Sequence, residues 1–246
     1  TADLSVEAVE SVLSHEHGDR TVEGHLVDND SPSDDGLQLA AAHRERGRGA
    51  HVTLYLEKTN HGFGGGNNVV LHALAERPSP PGKVFLLNPD ARLANEAIAC
   101  LASFLDDHPD AGGAGAAVMM PDGTPVTAAF RFPSFSGEFE KSINFGPVSR
   151  LMDRAKIYLP PDLPTGPVDW VAGAAVMFRF AALKETGFFD PEFFLYFEEV
   201  DLMRRLSEQG WQTWFVAEAQ IVHHEGAATG VAPSNARRRR PAYVYQ

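Results

Sequence analysis

Hydrophobic and polar positions follow two different periods over the first two-thirds of the chain. Short apolar or alternating runs predict β-strands at Val22–Asp28, His51–Leu56, Lys83–Leu87 and Gly115–Met120. Stretches with apolar residues at helical spacing separate these runs, and the predicted helices are 4–14, about 37–46, about 69–76 and 95–107. Strands that alternate with helices are typical of an α/β fold with a mostly parallel sheet flanked by helices.

Regular patterning stops between residues 121 and 168, a stretch with eight prolines and little periodicity. We expect this segment to be an irregular excursion over one face of the sheet. Beyond it the pattern predicts a strand at Trp170–Phe180, a helix from about Ala181, a helix over about Glu198–Gln209 and a strand near Thr213–Val216. The organisation predicts one domain over residues 1–236 and a basic C-terminal tail over 237–246.

The pattern begins with a helix, whereas a doubly wound sheet usually begins with a strand. We therefore expect the first strand to lie upstream of Thr1 or to be missing.

Charge and cysteine content narrow the function classes. Lys+Arg 21 against Asp+Glu 33 gives a net charge of −12, which disfavours nucleic-acid binding, so an anionic substrate needs a local device such as a metal ion or backbone amides. The lone Cys100 excludes an internal disulfide and fits a reducing, cytoplasmic compartment. No apolar run approaches the roughly 18 residues of a membrane span. A solvated tail is the default interpretation of the Arg237–Arg240 run, and its contact with the inner face of a membrane is a hypothesis.

A carboxylate follows a buried-type strand at Asn88-Pro89-Asp90. The carboxyl edge of an open α/β sheet is where ligands bind, so Asp90 is placed to hold a divalent cation through oxygen. A turn-capping role for Asp90 is the alternative. Near the C-terminus, His223 or His224 is a candidate to complete the metal shell, although isolated histidines are more often structural.

Two further segments have ligand-binding chemistry. The loop Asn60–Asn68 has four glycines ahead of a helix, which lets backbone amides approach an anion; a structural tight turn is the competing interpretation. Asp28 and Asp30 follow the first predicted strand and can accept hydrogen bonds from a base or ribose. An Asx-turn into the next helix explains these two acids as well.

The strongest signal is the segment Gly187–Leu202, in which five Phe and one Tyr precede carboxylates on the first turn of a helix. The helix dipole accounts for acids at this place, but not for the aromatics. An apolar wall raises the pKa of a carboxyl group and suits it to act as a general base. Glu198 and Glu199 point about 100° apart on a helix, so only one of them can face a reacting centre. Asp201 is expected to brace the helix.

In their order along the chain these segments resemble the large family of inverting glycosyltransferases with the A-type (GT-A) fold, whose sheet is Rossmann-like, and especially the branch similar to bacterial rhamnosyltransferases. The matching stretches are Val27–Ser31, Asn60–Asn68, Leu86–Asp90, Val168–Ala174, Gly187–Leu202 and the segment with His223 and His224. They cover nearly the whole chain.

The resemblance implies a role for individual residues. The implied donor-binding residues are Asp28, Asp30, Gly62, Phe63, Gly66, Asn67, Asn88, Asp90 and Gly173. The implied acceptor-binding residues are Asp169, Trp170 and Tyr196. The implied ligands of Mg²⁺ or Mn²⁺ are Asp90, His223 and His224, where Asn88 replaces the first acid of the family's D-x-D motif. Glu199 stands where the family has its catalytic base, with Glu198 as the fallback.

The reaction implied by the resemblance is transfer of a sugar, such as rhamnose, from a dTDP- or UDP-linked donor to a hydroxyl of a glycan or lipid-linked glycan, with inversion. Two other classes fit some of the residues: a sugar nucleotidyltransferase and a carbohydrate- or nucleotide-binding module without catalysis. The first usually has a glycine-rich, basic signature after its first strand, which is not seen here. The second explains the glycines and aromatics without Glu199.

Overall fold

The computed structural model describes residues 2–31, 35–45, 52–132 and 157–224. The helices are α1 (Ala2–Ser14), α2 (Asp35–Glu45), α3 (Gly62–Ala75), α4 (Ala97–Asp107), α5 (Phe180–Thr186) and α6 (Glu198–Glu208). The strands are β1 (Gly24–Asn29), β2 (Val52–Glu57), β3 (Lys83–Leu87), β4 (Ala91–Leu93), β5 (Ala111–Met119), β6 (Pro125–Val126), β7 (Ala129–Phe130), β8 (Gly166–Val168), β9 (Trp170–Val171), β10 (Ala175–Arg179) and β11 (Gln212–His223). The predicted tail 237–246 lies outside the described residues.

The largest sheet is mixed, which corrects the prediction of a mostly parallel sheet. Its order is β3-β10-β5-β11-β4, with β6 beside β5 and β8 beside β11. β10 is antiparallel to both β3 and β5, while β5 and β11 are parallel. The alternation of strands and helices predicts parallel pairing only where a helical crossover joins two strands. β10 instead follows β9 after three residues, so it enters the sheet in the opposite direction.

β1 and β2 form a separate parallel pair, with Gly24 opposite Val52 and Asn29 opposite Glu57. Among the described residues, β1 pairs only with β2, and β3 pairs only with β10. A first strand upstream of Thr1 stays a prediction.

The core lies between the mixed sheet and its helices. Leu101 and Leu105 of α4 are fully buried, as are Phe178 of β10 and Ile221 of β11. β5 contributes a glycine- and alanine-rich stretch that is almost entirely buried. Its small side chains leave room for larger neighbours: a methyl group built on Gly115 would lie 2.6 Å from Val171. Within the described part of the chain, no helix is long and apolar enough to cross a membrane.

Most predicted elements are present, and four differ. The strand predicted at Trp170–Phe180 is divided into β9 and β10, which belong to different sheets. β11 is far longer than the predicted strand near Thr213–Val216, because an irregularity between Val216 and Gln220 lets it continue along β5. β4 has only three residues and no recognisable pattern of its own. α3 begins at Gly62, so the glycines expected in a loop lie in the first turns of a helix.

Candidate active site

The turn after β3, residues 88–90, contacts both the loop before β10 and the C-terminal end of β11. The N–H of Asn88 donates to the carbonyl of Ala174 at 2.9 Å, which fixes the turn against the loop between β9 and β10. Asp90 is 3% exposed, and its Oδ1 lies 3.0 Å from Nε2 of His223. The N–H of His224 donates to the carbonyl of Asp90 at 2.9 Å. The antiparallel pairing of β4 and β11, with Ala91 opposite His223, produces this contact between residues far apart in sequence.

The chemistry of this turn fits a hard divalent cation. Asp90 offers a carboxylate and His223 an imidazole nitrogen, and the buried Oδ1 of Asn88 has no hydrogen-bond partner among the described residues. Oxygen and imidazole nitrogen are ligands that Mg²⁺ and Mn²⁺ accept. In the described ranges no three His, Cys, Asp or Glu side chains converge as a complete metal site. Substrate oxygens and water would therefore complete the shell.

Glu199 lies on the first turn of α6, beside the loop of residues 172–174, to which Asn88 is hydrogen-bonded. A methyl group built on Gly173 would be 3.9 Å from Cβ of Glu199 and 3.4 Å from the ring of Phe63. Gly173 is adjacent to Ala174, the partner of Asn88. The structure thus brings Asn88, Gly173, Phe63 and Glu199 together along one loop. Burial raises the pKa of the Glu199 carboxyl, and a hydrogen bond at its own backbone N–H partly opposes the rise.

Glu198 is the more deeply buried acid. It is 3% exposed, and its Oε2 has no hydrogen-bond partner in the described part of the chain. Burial raises the pKa of Glu198 to about 7; its own backbone N–H opposes the rise and the charge of Glu199 adds to it. Glu199 keeps some exposure, and its Cβ lies beside Gly173.

The pH dependence of stability is expected to report on Glu198. Because its pKa in the folded chain is raised to about 7, the folded state holds this proton more tightly than the unfolded state, and the resulting stability is lost as the pH rises through about 7. Glu198→Gln should therefore raise Tm relative to the unchanged protein by an amount that grows between about pH 4.5 and about pH 7 and then levels off. Thermal unfolding across this range measures it; a difference that stays constant would contradict the assignment.

The glycines of α3 serve close packing, which corrects the loop interpretation. A methyl group on Gly64 would lie 2.9 Å from Cβ of Phe189, and one on Gly66 would lie 3.1 Å from the side-chain amide of Asn29. Gly62 has φ +73° and is in contact with the carbonyl of Phe194. Helix propensity disfavours glycine by about 1 kcal/mol, so only tertiary contacts explain a helix at this place.

Asn29 is a residue that the sequence analysis did not single out. Its Nδ2 donates to the carbonyl of Gly62 at 2.9 Å, and its Oδ1 accepts from the N–H of His61 at 3.0 Å. The end of β1 is thereby fixed to the start of α3. The one signal in the sequence is its place between Asp28 and Asp30, because an amide, unlike a carboxylate, can both donate and accept hydrogen bonds.

Asp28 and Asp30 occupy the end of β1. Oδ1 of Asp28 accepts from the N–H of Ser31 at 3.3 Å, a bond over three residues, whereas the Asx-turn given as the alternative spans two. Asp30 is exposed and has φ 58°. A donor contact by either carboxylate stays a prediction.

The three predicted acceptor residues lie in two places. Asp169 accepts from the N–H of Phe132 at 2.7 Å, and the indole N–H of Trp170 donates to the carbonyl of Arg131 at 3.1 Å, so both hold the strand pair β7–β9. Tyr196 instead lies just before α6 with 42% exposure. Phe194 and Phe197 beside it are also exposed, and the sequence analysis did not assign them.

The backbone around these aromatics is strained. Phe188, Tyr196 and Phe197 have φ of 66°, 71° and 73°, a conformation that costs of order 1–3 kcal/mol for each non-glycine residue. Such strain often marks a functional site. Of these three residues, Tyr196 and Phe197 are exposed directly ahead of α6, whereas Phe188 is buried.

Comparison with known proteins places the chain. It matches the family described as glycosyl transferase family group 2 over residues 83–246. It is 29% identical over 225 residues to the N-acetylglucosaminyl-diphospho-decaprenol L-rhamnosyltransferase of Mycobacterium tuberculosis (strain ATCC 25618 / H37Rv), covering 88% of this chain and 71% of the relative. Rhamnosyltransferase WbbL of Escherichia coli (strain K12) is 25% identical over 175 residues, covering 69% of this chain and 63% of the relative.

Solved structures agree on the fold. The crystal structure of GalNAc-T7 with UDP, GalNAc and Mn²⁺ superposes with a TM-score of 0.62 at 14% identity, covering 88% of this chain. The chain spans 40% of the length of that protein. The family match extends over more than half of the residues, and the chain therefore belongs to glycosyl transferase family group 2, with a GT-A fold.

Proposed function

We propose that this protein is a metal-dependent inverting glycosyltransferase. It moves a sugar from a dTDP- or UDP-linked donor, with rhamnose as the leading candidate, to a hydroxyl of a glycan or lipid-linked glycan. The observation that carries the proposal is the loop at residues 172–174, which contacts the turn of Asn88 on one side and Glu199 on the other. The rhamnosyltransferase relatives support the choice of sugar.

In this proposal Glu199 is the general base. It takes the proton from the acceptor hydroxyl as that oxygen bonds to the anomeric carbon, while the bond from this carbon to the diphosphate oxygen breaks. The raised pKa of Glu199 brings the proton affinity of the carboxylate closer to what the transfer requires. A single displacement of this kind inverts the anomeric configuration.

The donor side rests on the turn after β3. Asp90 and His223, with Asn88 beside them, would hold Mg²⁺ or Mn²⁺, and the bound ion would neutralise charge on the departing diphosphate. The N-terminal end of α3, with the donor-binding candidates Gly62 to Asn67, lies near this turn, because the ring of Phe63 packs beside Gly173. A helix N-terminus favours an anionic group.

The acceptor side is proposed to lie at Tyr196, with Phe194 and Phe197 next to it. These rings are exposed and immediately precede the helix that begins with Glu198. Aromatic faces suit the apolar faces of sugar rings. The Mycobacterium tuberculosis relative, named for an N-acetylglucosaminyl-diphospho-decaprenol acceptor, supports a lipid-linked sugar as the acceptor to try first.

The experiment that tests the function is a transfer assay. The full chain is incubated with dTDP-rhamnose or UDP-sugars, an N-acetylglucosaminyl diphospholipid and Mg²⁺ or Mn²⁺; mass spectrometry detects the product, and NMR its anomeric configuration. Transfer with inversion supports the proposal. Nucleotide binding with no transfer under either metal would indicate a binding module, and consumption of nucleoside triphosphate with sugar phosphate would indicate a nucleotidyltransferase.

Asp90→Asn is expected to abolish most of the metal-dependent stabilisation by nucleoside diphosphate. A ligand at 100 times its Kd stabilises a protein by about 2.7 kcal/mol, or roughly 5–10 °C in Tm for a chain of this size. Asparagine keeps the shape and can still contact His223, so the loss reports the missing charge. Thermal unfolding with UDP or dTDP and Mn²⁺ measures it, with Asp122→Asn in the exposed turn before Thr124 as the control. An unchanged shift in Asp90→Asn would exclude Asp90 as the metal ligand.

A further inference from the structure

The segment between α5 and α6, residues 187–197, connects the core to the helix that bears Glu199. Phe188, Tyr196 and Phe197 in this connection have positive φ. A stretch with this backbone needs restraints from outside itself, because the conformation is not the one its residues prefer. Because the segment continues directly into α6, a displacement of its backbone also moves the first turn of α6, where Glu199 lies.

The α6 side supplies one restraint. The guanidinium of Arg205 donates to the carbonyls of Thr186 and Phe188, at 2.8 Å in each case, and also to the carboxylate of Asp201. These bonds tie α6 to the start of the connection. These bonds do not fix the position of α6 and of the connection relative to the rest of the molecule.

Asn68 of α3 supplies the second restraint. Its Nδ2 donates to the carbonyl of Phe189 at 2.8 Å, and the N–H of Phe189 donates back to Oδ1 of Asn68 at 3.1 Å. One planar amide thus satisfies both polar groups of a single residue that is 121 positions away. The N–H of Phe63 adds a bond to the carbonyl of Phe194 at 3.1 Å.

These contacts make α3 the reference for the position of α6. The same helix places Phe63 against Gly173, which lies beside Glu199. We propose that Asn68 is a positioning residue, which holds the connection through Phe189 and so sets the place of Glu199 relative to the donor-side helix α3. The activity consequence rests on the proposed function; the structural consequence does not.

The two bonds specify asparagine. An ionised aspartate keeps the acceptor for the N–H of Phe189 but presents a second acceptor to its carbonyl. A protonated aspartic acid again offers one donor and one acceptor on a planar group. Asn68→Asp therefore disrupts the contact at neutral pH and restores it on acidification.

The matched control is Asn95→Asp. Asn95 makes the same pair of bonds to a distant segment: its Nδ2 donates to the carbonyl of Glu218 at 2.8 Å, and its Oδ1 accepts from the N–H of Gln220 at 3.0 Å. It lies beyond the Leu93–Ile221 end of the β4–β11 pair, whereas Asp90 and His223 lie at the other end of that pair. It therefore loses an equivalent contact elsewhere in the fold.

Hydrogen–deuterium exchange and kinetics together test the proposal. At neutral pH, Asn68→Asp should speed exchange of residues 188–199 about tenfold and lower kcat about tenfold, with the donor KM changed by less than about twofold. Asn95→Asp should speed exchange near residue 220 and leave kcat and residues 188–199 unchanged. At about pH 4, where roughly half of an ordinary aspartate is protonated, the exchange difference at residues 188–199 should shrink, after correction for intrinsic rates.

Three results would overturn it: unchanged exchange at residues 188–199 in Asn68→Asp, acceleration spread evenly over the chain, or an unchanged kcat beside loosened exchange. The exchange measurement needs no substrate. If the unchanged protein transfers no sugar, the proposed function fails, and the exchange pattern alone still decides whether Asn68 holds the connection.

Discussion

Glu199→Gln is expected to reduce turnover by about 10²–10⁴-fold, the usual contribution of a placed general base. Glutamine keeps the size and the place beside Gly173 but cannot take a proton from the acceptor. Binding of UDP or dTDP should change little, because the proposed metal-binding turn lies on the other side of the 172–174 loop. Steady-state kinetics of transfer and calorimetric nucleotide binding measure the two quantities.

Glu198→Gln is the matched comparison, since it makes the same change one residue earlier. Its carboxyl is buried and its pKa is raised to about 7, so we expect a modest effect on turnover and the pH-dependent gain in stability described above. If Glu198→Gln loses turnover while Glu199→Gln keeps it, the base is Glu198. A pH–rate profile of the unchanged protein should show an acidic limb above the ordinary range of glutamate.

Gly62→Ala should give the largest loss of stability among single methyl additions near the site. A methyl group there would overlap the carbonyl oxygen of Phe194, and φ at Gly62 is +73°. The unfavourable backbone and the displaced bond from Phe63 together cost about 3 kcal/mol or more, which is roughly 6–12 °C in Tm.

Gly82→Ala is the control for Gly62→Ala. A methyl group at Gly82 would have no atom within 4 Å. Thermal unfolding of both variants compares them directly. Similar Tm values for the two would show that the start of α3 can move away from Phe194, and the packing account of this helix would then be wrong.

The part of the fold that could be predicted is the part in which each element buries a face of its own. Lys83–Leu87 is a strand in the pattern and in the structure, and the helix predicted from Ala181 is α5. The direction of β10 could not be predicted, because direction depends on the connection before it and not on the pattern within it. The three-residue β4 takes its conformation from pairing with β11.

Within the candidate site, the sequence predicts which residue types are present, but it does not predict which of them are in contact. A carboxylate after β3 and an acid on the first turn of α6 both follow from local patterns. The bond between Asp90 and His223 depends on sheet register over 133 positions. Asn68 carried one overlooked signal: asparagine is a poor helix former, so its place inside α3 indicates a tertiary hydrogen bond.

At the start of α6, the protonation of Glu198 and Glu199 is coupled to the stability of the first helical turn. The N–H groups of Glu198 and Glu199 lower the pKa of their own carboxyl groups, although burial outweighs them. Because burial outweighs these bonds and the net pKa of both carboxyl groups is raised, the folded start of α6 is more stable when the carboxyl groups are neutral than when they are ionised. In the proposed reaction, gaining the proton of the acceptor would therefore tighten the first turn of α6, and releasing it to solvent would loosen that turn again.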